Sequence, residues 1–274
     1  APDGIDQLRA ALAAIPQPED RAEAPDPEAA EQALSAARQA FDAARIAHQT
    51  AADIRAAGGH AIALRSDAAD TDDIEALLRL AGDEFAPVDI YVANAGVIGA
   101  PALGSEADWD VTLDVNLRAH IRAARLLVPH WRSIGGGYFV SVASAAGLLT
   151  QLGAAGYAVS KHAAVGFAEW LAITYGDDGI GVSCVCPLGV ETPLLQNIRG
   201  IDDADARLGA SAIEHSAAVI GASDVATATL EAMRADRFLV LPHPELLEMY
   251  RHKGADYDRW IAGMRRYQRT LRNG

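Results

Sequence analysis

Tyr157 and Lys161, in the run Tyr157-Ala158-Val159-Ser160-Lys161, stand four residues apart. On a helix, positions i and i+4 are neighbours, so the ammonium lies beside the phenol and its charge favours the phenolate. An unperturbed phenol titrates at about 10, and a tyrosine that exchanges a proton near neutral pH needs such a cation. Ser144 lies thirteen residues earlier, at the end of a strand-like run, where it could donate a hydrogen bond to the same oxygen and fix its position. Taken singly, each has a plainer reading: a Tyr–Lys pair is more often a helix surface, and a lone serine more often satisfies local backbone. The set, joined by Asn116 and by Asn94-Ala95-Gly96, would serve proton transfer. Tyr157 would donate to a carbonyl oxygen in reduction or accept an alcohol proton in oxidation.

Such residues need elements to hold them, and from Gly58 onward the sequence alternates strand-like and helix-like runs, the signature of a parallel sheet with crossover helices. Strands are expected over Ala61–Leu64, Val88–Ala93, Tyr138–Val142, Ile180–Cys186 and Phe238–Leu241. Between them, helices are expected from Thr71-Asp72-Asp73 to Glu84, over 106–131, and from Tyr157 to Tyr175, with Gly135-Gly136-Gly137 as a turn. The first 57 residues differ, with a single glycine, Gly4, and no valine, so no buried Val/Ile-rich strand is read there. They read instead as a helix over 5–15 capped by Asp3, a proline-rich acidic linker over 16–27, and a second helix opened by Asp26-Pro27-Glu28 and running toward Gly58-Gly59. At the other end, Trp260, Met264, Tyr267 and Leu271 form the apolar stripe of an amphipathic helix over 256–271, whose outer face carries Arg259, Arg265, Arg266, Arg269 and Arg272. That stripe reads as packing.

The Asn116, Ser144, Tyr157 and Lys161 set, at this spacing, resembles the short-chain dehydrogenase/reductase family. The resemblance implies that Tyr157 is the acid/base, that Lys161 lowers its pKa and binds the nicotinamide ribose, that Ser144 orients the substrate, and that Asn116 joins a proton relay. It extends to cofactor-facing segments. Asn94-Ala95-Gly96 is similar to the turn against the adenosine half of the dinucleotide, Asp67 to the acidic residue at the adenine edge, and Pro187-Leu188-Gly189-Val190-Glu191-Thr192 to the segment holding the nicotinamide carboxamide through Val190 and Thr192. Leu188 stands where glycine is commoner. The implied fold is α/β, a Rossmann-like parallel sheet flanked by helices, with a helical segment over 1–48 in place of the first strand–turn–helix–strand and the dehydrogenase-like domain over 49–274. The implied cofactor is NAD or NADP, although the glycine-rich phosphate turn of the family is not found in residues 1–57. The implied activity is oxidation of an alcohol or reduction of a ketone or aldehyde. Two alternatives stay open on the same residues. One is a cofactor-independent enzyme like the halohydrin dehalogenases, which also lack the glycine-rich turn but use arginine where this chain has Lys161. The other is a non-catalytic relative that keeps the four residues as a remnant.

A formal net charge of −14 argues against nucleic-acid and anionic-membrane surfaces, since like charges repel and no long basic block offsets them. No apolar run reaches membrane-spanning length and no basic-then-apolar leader opens the chain, so a cytoplasmic location is expected. Cys184 and Cys186 are i, i+2 in a strand-like run and read as buried thiols. No metal site is read. The segment from Leu194 to Ala222 resembles the variable lid over the substrate, expected to be a small or medium-sized alcohol or carbonyl compound. The helices around 111–128 and 157–172 are apolar over more than one face, which implies pairing into a homodimer or homotetramer.

Overall fold

A computed structural model describes residues 46–273. The described residues fall into two units, divided after Arg65. In the first, residues 46–56 are helical and Gly58 ends the helix at φ +86°. The helix expected over 5–15, and the part of the next one before residue 46, lie outside the described residues. Residues 61–64 are not the expected strand: they are irregular, and Ile62 and Leu64 are exposed. Alternating apolar residues make a strand only where a neighbouring strand takes up their N–H and C=O groups, and among the described residues 61–64 pairs with none.

The second unit runs α1 (Thr71–Glu84), β1 (Ile90–Ala93), α2 (Glu106–Leu113), a π-helical turn (Asp114–Arg118), α3 (Ala119–Ile134), β2 (Gly137–Val142), α4 (Ala146–Leu149), α5 (Ala155–Tyr175), β3 (Ile180–Val185), α6 (Pro193–Arg199), α7 (Ala204–Ser216), α8 (Ala222–Arg234), β4 (Leu239–Val240), α9 (Glu245–Ala255) and α10 (Tyr257–Asn273). The four strands form one sheet in the order β1-β2-β3-β4, parallel throughout. The expected α/β class holds, and among the described strands β1 stands at an edge.

Successive strand residues point to opposite faces, and both faces are used. On one, Ala93, Phe139, Ile180, Val182 and Cys184 pack with Ala123, Leu127 and Trp131 of α3 and Ala164, Ala168 and Leu171 of α5. On the other, Val140, Val185 and Val240 pack with Ala232 and its neighbours on α8. Trp131 also donates its indole N–H to the Val88 carbonyl at 2.7 Å, fixing α3 to the start of β1. The N-cap of α1 is Asp70, just before Thr71-Asp72-Asp73: its carboxylate accepts the Asp73 N–H at 3.0 Å. A carboxylate does this better than a hydroxyl, because it also meets the positive end of the helix dipole.

Candidate active site

The carboxyl ends of β1, β2 and β3 meet the N-terminal half of α5, and the expected residues gather there. The helix expected over 106–131 opens at residues 114–118 into a π-helical turn carrying Asn116, and widening a helix by one residue re-aims the side chain it carries. Asn116 is fully buried. Its amide oxygen accepts the Val97 N–H at 2.8 Å, and its amide nitrogen donates to the Val97 carbonyl at 2.8 Å and to Ser160 Oγ at 3.0 Å. Ser160 in turn donates to the Tyr157 carbonyl at 3.0 Å. Asn116 therefore ties the turn after β1 to the tyrosine helix.

That turn is Asn94-Ala95-Gly96. A side chain at Gly96 would place its Cβ 3.4 Å from Lys161 Nζ and 3.4 Å from Asn116 Oδ1, so glycine lets backbone and lysine meet. Lys161 is 3 % exposed and donates to the Val142 carbonyl at the end of β2, at 3.1 Å. Its Nζ lies 5.8 Å from the centre of the Tyr157 ring, confirming the neighbourhood that four-residue spacing implies. Ser144 follows β2; its Oγ accepts the Ala146 N–H at 3.1 Å, and the next residue, Ala145, donates its N–H to the Pro187 carbonyl at 2.8 Å.

The electrostatics differ from the expectation that the ammonium lowers the phenol. Burial pushes the Tyr157 phenol above its ordinary value, the Ser144 hydroxyl works in the opposite direction, and the Cys186 thiol adds a smaller upward push. Burial also brings Lys161 down to about 8, opposed by Cys186 and Cys184. Both groups are out of water, and desolvation penalises whichever form is charged.

The remaining cofactor-facing candidates lie around this centre to different degrees. Thr192 caps α6, donating to the Val190 carbonyl at 3.3 Å, and Val190 forms an isolated bridge with Ile220. His243 is missing from the sequence reading. Almost fully buried, it accepts the Leu188 N–H through Nδ1 at 3.2 Å and reaches the Ala218 carbonyl through Nε2 at 3.1 Å, holding the segment after Pro187. Asp67 is exposed and engaged locally, where it accepts the Ala69 N–H at 2.8 Å and donates its own N–H to Asp73 at 2.6 Å. Asn94 and Ala95 are exposed. Ser160 and His243 escape sequence reasoning because their partners are 44 and 55 residues away.

Beside the Tyr157 cluster, Ile98, Pro101, Leu152, Ile198 and Ile213 line a cavity of about 320 Å³, open space at its mouth included. Ile98 and Ala154 belong both to its wall and to the packing around Tyr157. Among the described residues, no group of His, Cys, Asp or Glu side chains is placed to hold a metal ion.

A parallel sheet whose strand ends surround a buried tyrosine–lysine pair defines a Rossmann-like α/β protein. Residues 28–202 match the family described as short chain dehydrogenase. The 1-deoxy-11-beta-hydroxypentalenate dehydrogenase of Streptomyces exfoliatus is 30% identical over 206 residues, covering 72% of this chain and 70% of that protein. An NAD-dependent oxidoreductase of Mycobacterium tuberculosis (strain ATCC 25618 / H37Rv) is 36% identical over 151 residues, or 54% of this chain; the match spans 55% of that relative, about half its length. Among solved structures, a short-chain dehydrogenase/reductase from Burkholderia phymatum in complex with NAD superposes with a TM-score of 0.67 at 30% identity, covering 77% of this chain and 81% of that one. The chain belongs to the short-chain dehydrogenase/reductase family.

Proposed function

We propose that this protein is an NAD(P)-dependent oxidoreductase that interconverts an alcohol and its ketone or aldehyde. The observation that carries the reading is the meeting of Tyr157, Lys161 and Gly96 at the strand ends, with Lys161 Nζ 3.4 Å from where a Gly96 side chain would begin. A ligand lying on that glycine would have the buried ammonium close behind it. Lys161 and the Asn94-Ala95-Gly96 turn suit a nicotinamide ribose, and Pro187, Val190 and Thr192 suit the carboxamide. Asp67, with its carboxylate committed to the local turn, could reach an adenine edge only through its second oxygen.

The nicotinamide, when bound, takes the hydride from the carbinol carbon or returns it. In oxidation Tyr157 accepts the hydroxyl proton as the carbonyl forms, and in reduction it donates that proton. Ser144 holds the reacting oxygen, and Lys161, brought down to about 8 by burial and still mostly charged at neutral pH, lies beside the phenol ring. Asn116 keeps turn and helix in register, since both its amide oxygen and its amide nitrogen are engaged. The cavity is lined mostly by apolar residues, with Gln151 and Asp205 among them, and its lining offers no cation for a carboxylate or phosphate, so the substrate we infer is compact and not an anion. On the outer face of α5, Trp170 and Ile173 are exposed, which supports a homodimer or homotetramer. The thiols of Cys184 and Cys186, buried 3.9 Å apart, suit a reducing compartment such as the cytoplasm.

The test is titration with NADH and NADPH followed by nicotinamide fluorescence, together with absorbance assays on a panel of secondary alcohols. Saturable binding that Lys161→Ala abolishes, with turnover of at least one alcohol, is the expected result. No binding of either nucleotide up to millimolar concentration would refute the reading.

A further inference from the structure

Lys253 stands in the last turn of α9 and is only 6 % exposed. Every partner it meets among the described residues is neutral. Its Nζ donates to the Leu148 carbonyl of α4 at 2.5 Å, lies 3.3 Å from His162 Nε2 of α5, and stands 5.6 Å from the centre of the Tyr257 ring. The imidazole is oriented for this contact. His162 Nδ1 lies 2.8 Å from the Ala158 carbonyl, and a carbonyl only accepts, so Nδ1 carries the hydrogen of the neutral ring and Nε2 turns its lone pair to the ammonium.

The two acceptors flank the seam between α4 and α5. A side chain at Gly147 would place its Cβ 2.5 Å from the Lys161 carbonyl, so the two helices touch backbone to backbone at that point. Leu148 and His162, the next residue on each element, are the pair that the ammonium joins. Just before the seam, the Ala146 N–H is tied to Ser144 Oγ. At the other end of α9, Leu246 is fully buried in the core that also holds Leu148, which fixes the helix that delivers Lys253. A single-turn helix leaves its carbonyls without intrahelical partners, and the ammonium satisfies one of them. An ammonium buried among neutral groups is nevertheless costly, and burial pushes the Lys253 pKa down. Packing alone would be better served by methionine or leucine.

We infer that Lys253 is a positioning residue for the active centre: its ammonium, shared between the Leu148 carbonyl and His162 Nε2, holds the segment carrying Ser144 against the helix carrying Tyr157 and Lys161. Its effect on turnover rests on the oxidoreductase reading of the site; its effect on Lys161 does not. Without the clamp the seam opens, Ser144 shifts relative to Tyr157, and water reaches Lys161. Misplacing a reacting group by about 1 Å costs on the order of 10²-fold in rate, and hydration returns a desolvated lysine toward its ordinary pKa.

Lys161 and Lys253 are the only lysines in the chain, so lysine labelled with 13C at Cε gives two signals. Lys253→Met assigns them and leaves Lys161 alone in the spectrum. In that variant kcat should fall by about 10–100-fold, with KM for the nucleotide within about twofold of the parent because the proposed nucleotide contacts lie away from α4. The Lys161 midpoint, about 8 in the parent, should rise by about half a pH unit or more. His162→Leu keeps the charge of Lys253 but removes the lone pair, and should move kcat and midpoint in the same directions. His162→Gln, whose amide oxygen reproduces the distal acceptor, should stay near the parent in both. Unchanged kcat and midpoint in Lys253→Met and His162→Leu would overturn the inference. So would a midpoint that rises in Lys253→Met alone, the mark of a lost neighbouring charge, or a Gln variant that behaves as Leu does. A fall in kcat matched by an equal rise in nucleotide KM would mean general loosening and would also refute it. Should Lys253→Met fail to fold, the two His162 variants decide. If no alcohol turns over in the parent, the redox reading fails, yet the Lys161 midpoints in the His162 variants still decide whether the clamp holds the centre.

Discussion

Replacing Lys161 with methionine should remove activity and flatten the alkaline rise in stability. Lys161 titrates near 10.5 when unfolded and at about 8 in the folded protein because burial disfavours its charge. For a cation whose folded pKa is depressed, the charged form destabilises: the penalty is full below the folded value and fades as pH climbs toward the unfolded one. A gap of about 2.5 units at about 1.4 kcal/mol each makes that penalty about 3 kcal/mol at pH 7. By pH 9.5 it has shrunk to about 1.4 kcal/mol, so the wild type should gain about 2 kcal/mol over this range relative to Lys161→Met. At pH 7 alone the comparison is ambiguous, because methionine leaves the Val142 carbonyl without its donor, a loss of about 1–3 kcal/mol that offsets the relief. The slope escapes this, since the lost hydrogen bond does not titrate. Urea denaturation of both proteins at pH 7, 8.5 and 9.5 gives the difference directly. Two curves running parallel across this range would show that the lysine is not desolvated as its burial requires, and the reasoning would be wrong.

Other expectations follow from the same contacts. Tyr157→Phe should lower kcat by about 10²–10⁴-fold, the usual worth of a positioned acid/base, while the NADH fluorescence titration stays close to wild type; equal losses in both would place the phenol in binding rather than chemistry. Asn116→Ala strips partners from both polar groups of Val97 and from Ser160, and should cost about 2–4 kcal/mol in chemical denaturation, with turnover lost even where the protein stays folded. His243→Leu removes the partners of the Leu188 N–H and the Ala218 carbonyl; it should raise KM for the nucleotide more than it lowers kcat, read from steady-state kinetics at saturating alcohol.

What the sequence made legible depended on how local the determining interaction is. The Tyr157–Lys161 neighbourhood is set by helical period, and it survives in the structure because nothing but the helix is needed to produce it. The alternation of strands and helices gives the parallel sheet for the same reason, and the helix ends at Glu84 and Tyr175 lie where the patterning breaks. The failure at 61–64 is of a different kind: a strand is a property of a pair, and its apolar alternation carries no information about whether a partner ladder stands beside it. Asn116 shows an intermediate case. Its type and place pointed to the site, but its work, clamping Val97 and Ser160, comes from a π-helical turn that no residue preference announces. His243 lay wholly beyond reach, since a lone histidine on an apolar face reads as packing until its partner, 55 residues away, is known. The charge state of the centre was hardest of all. Spacing alone makes the ammonium the phenol's helper, whereas burial raises the phenol and lowers the lysine together, so desolvation works against the charged form of both groups that residue types alone would pair.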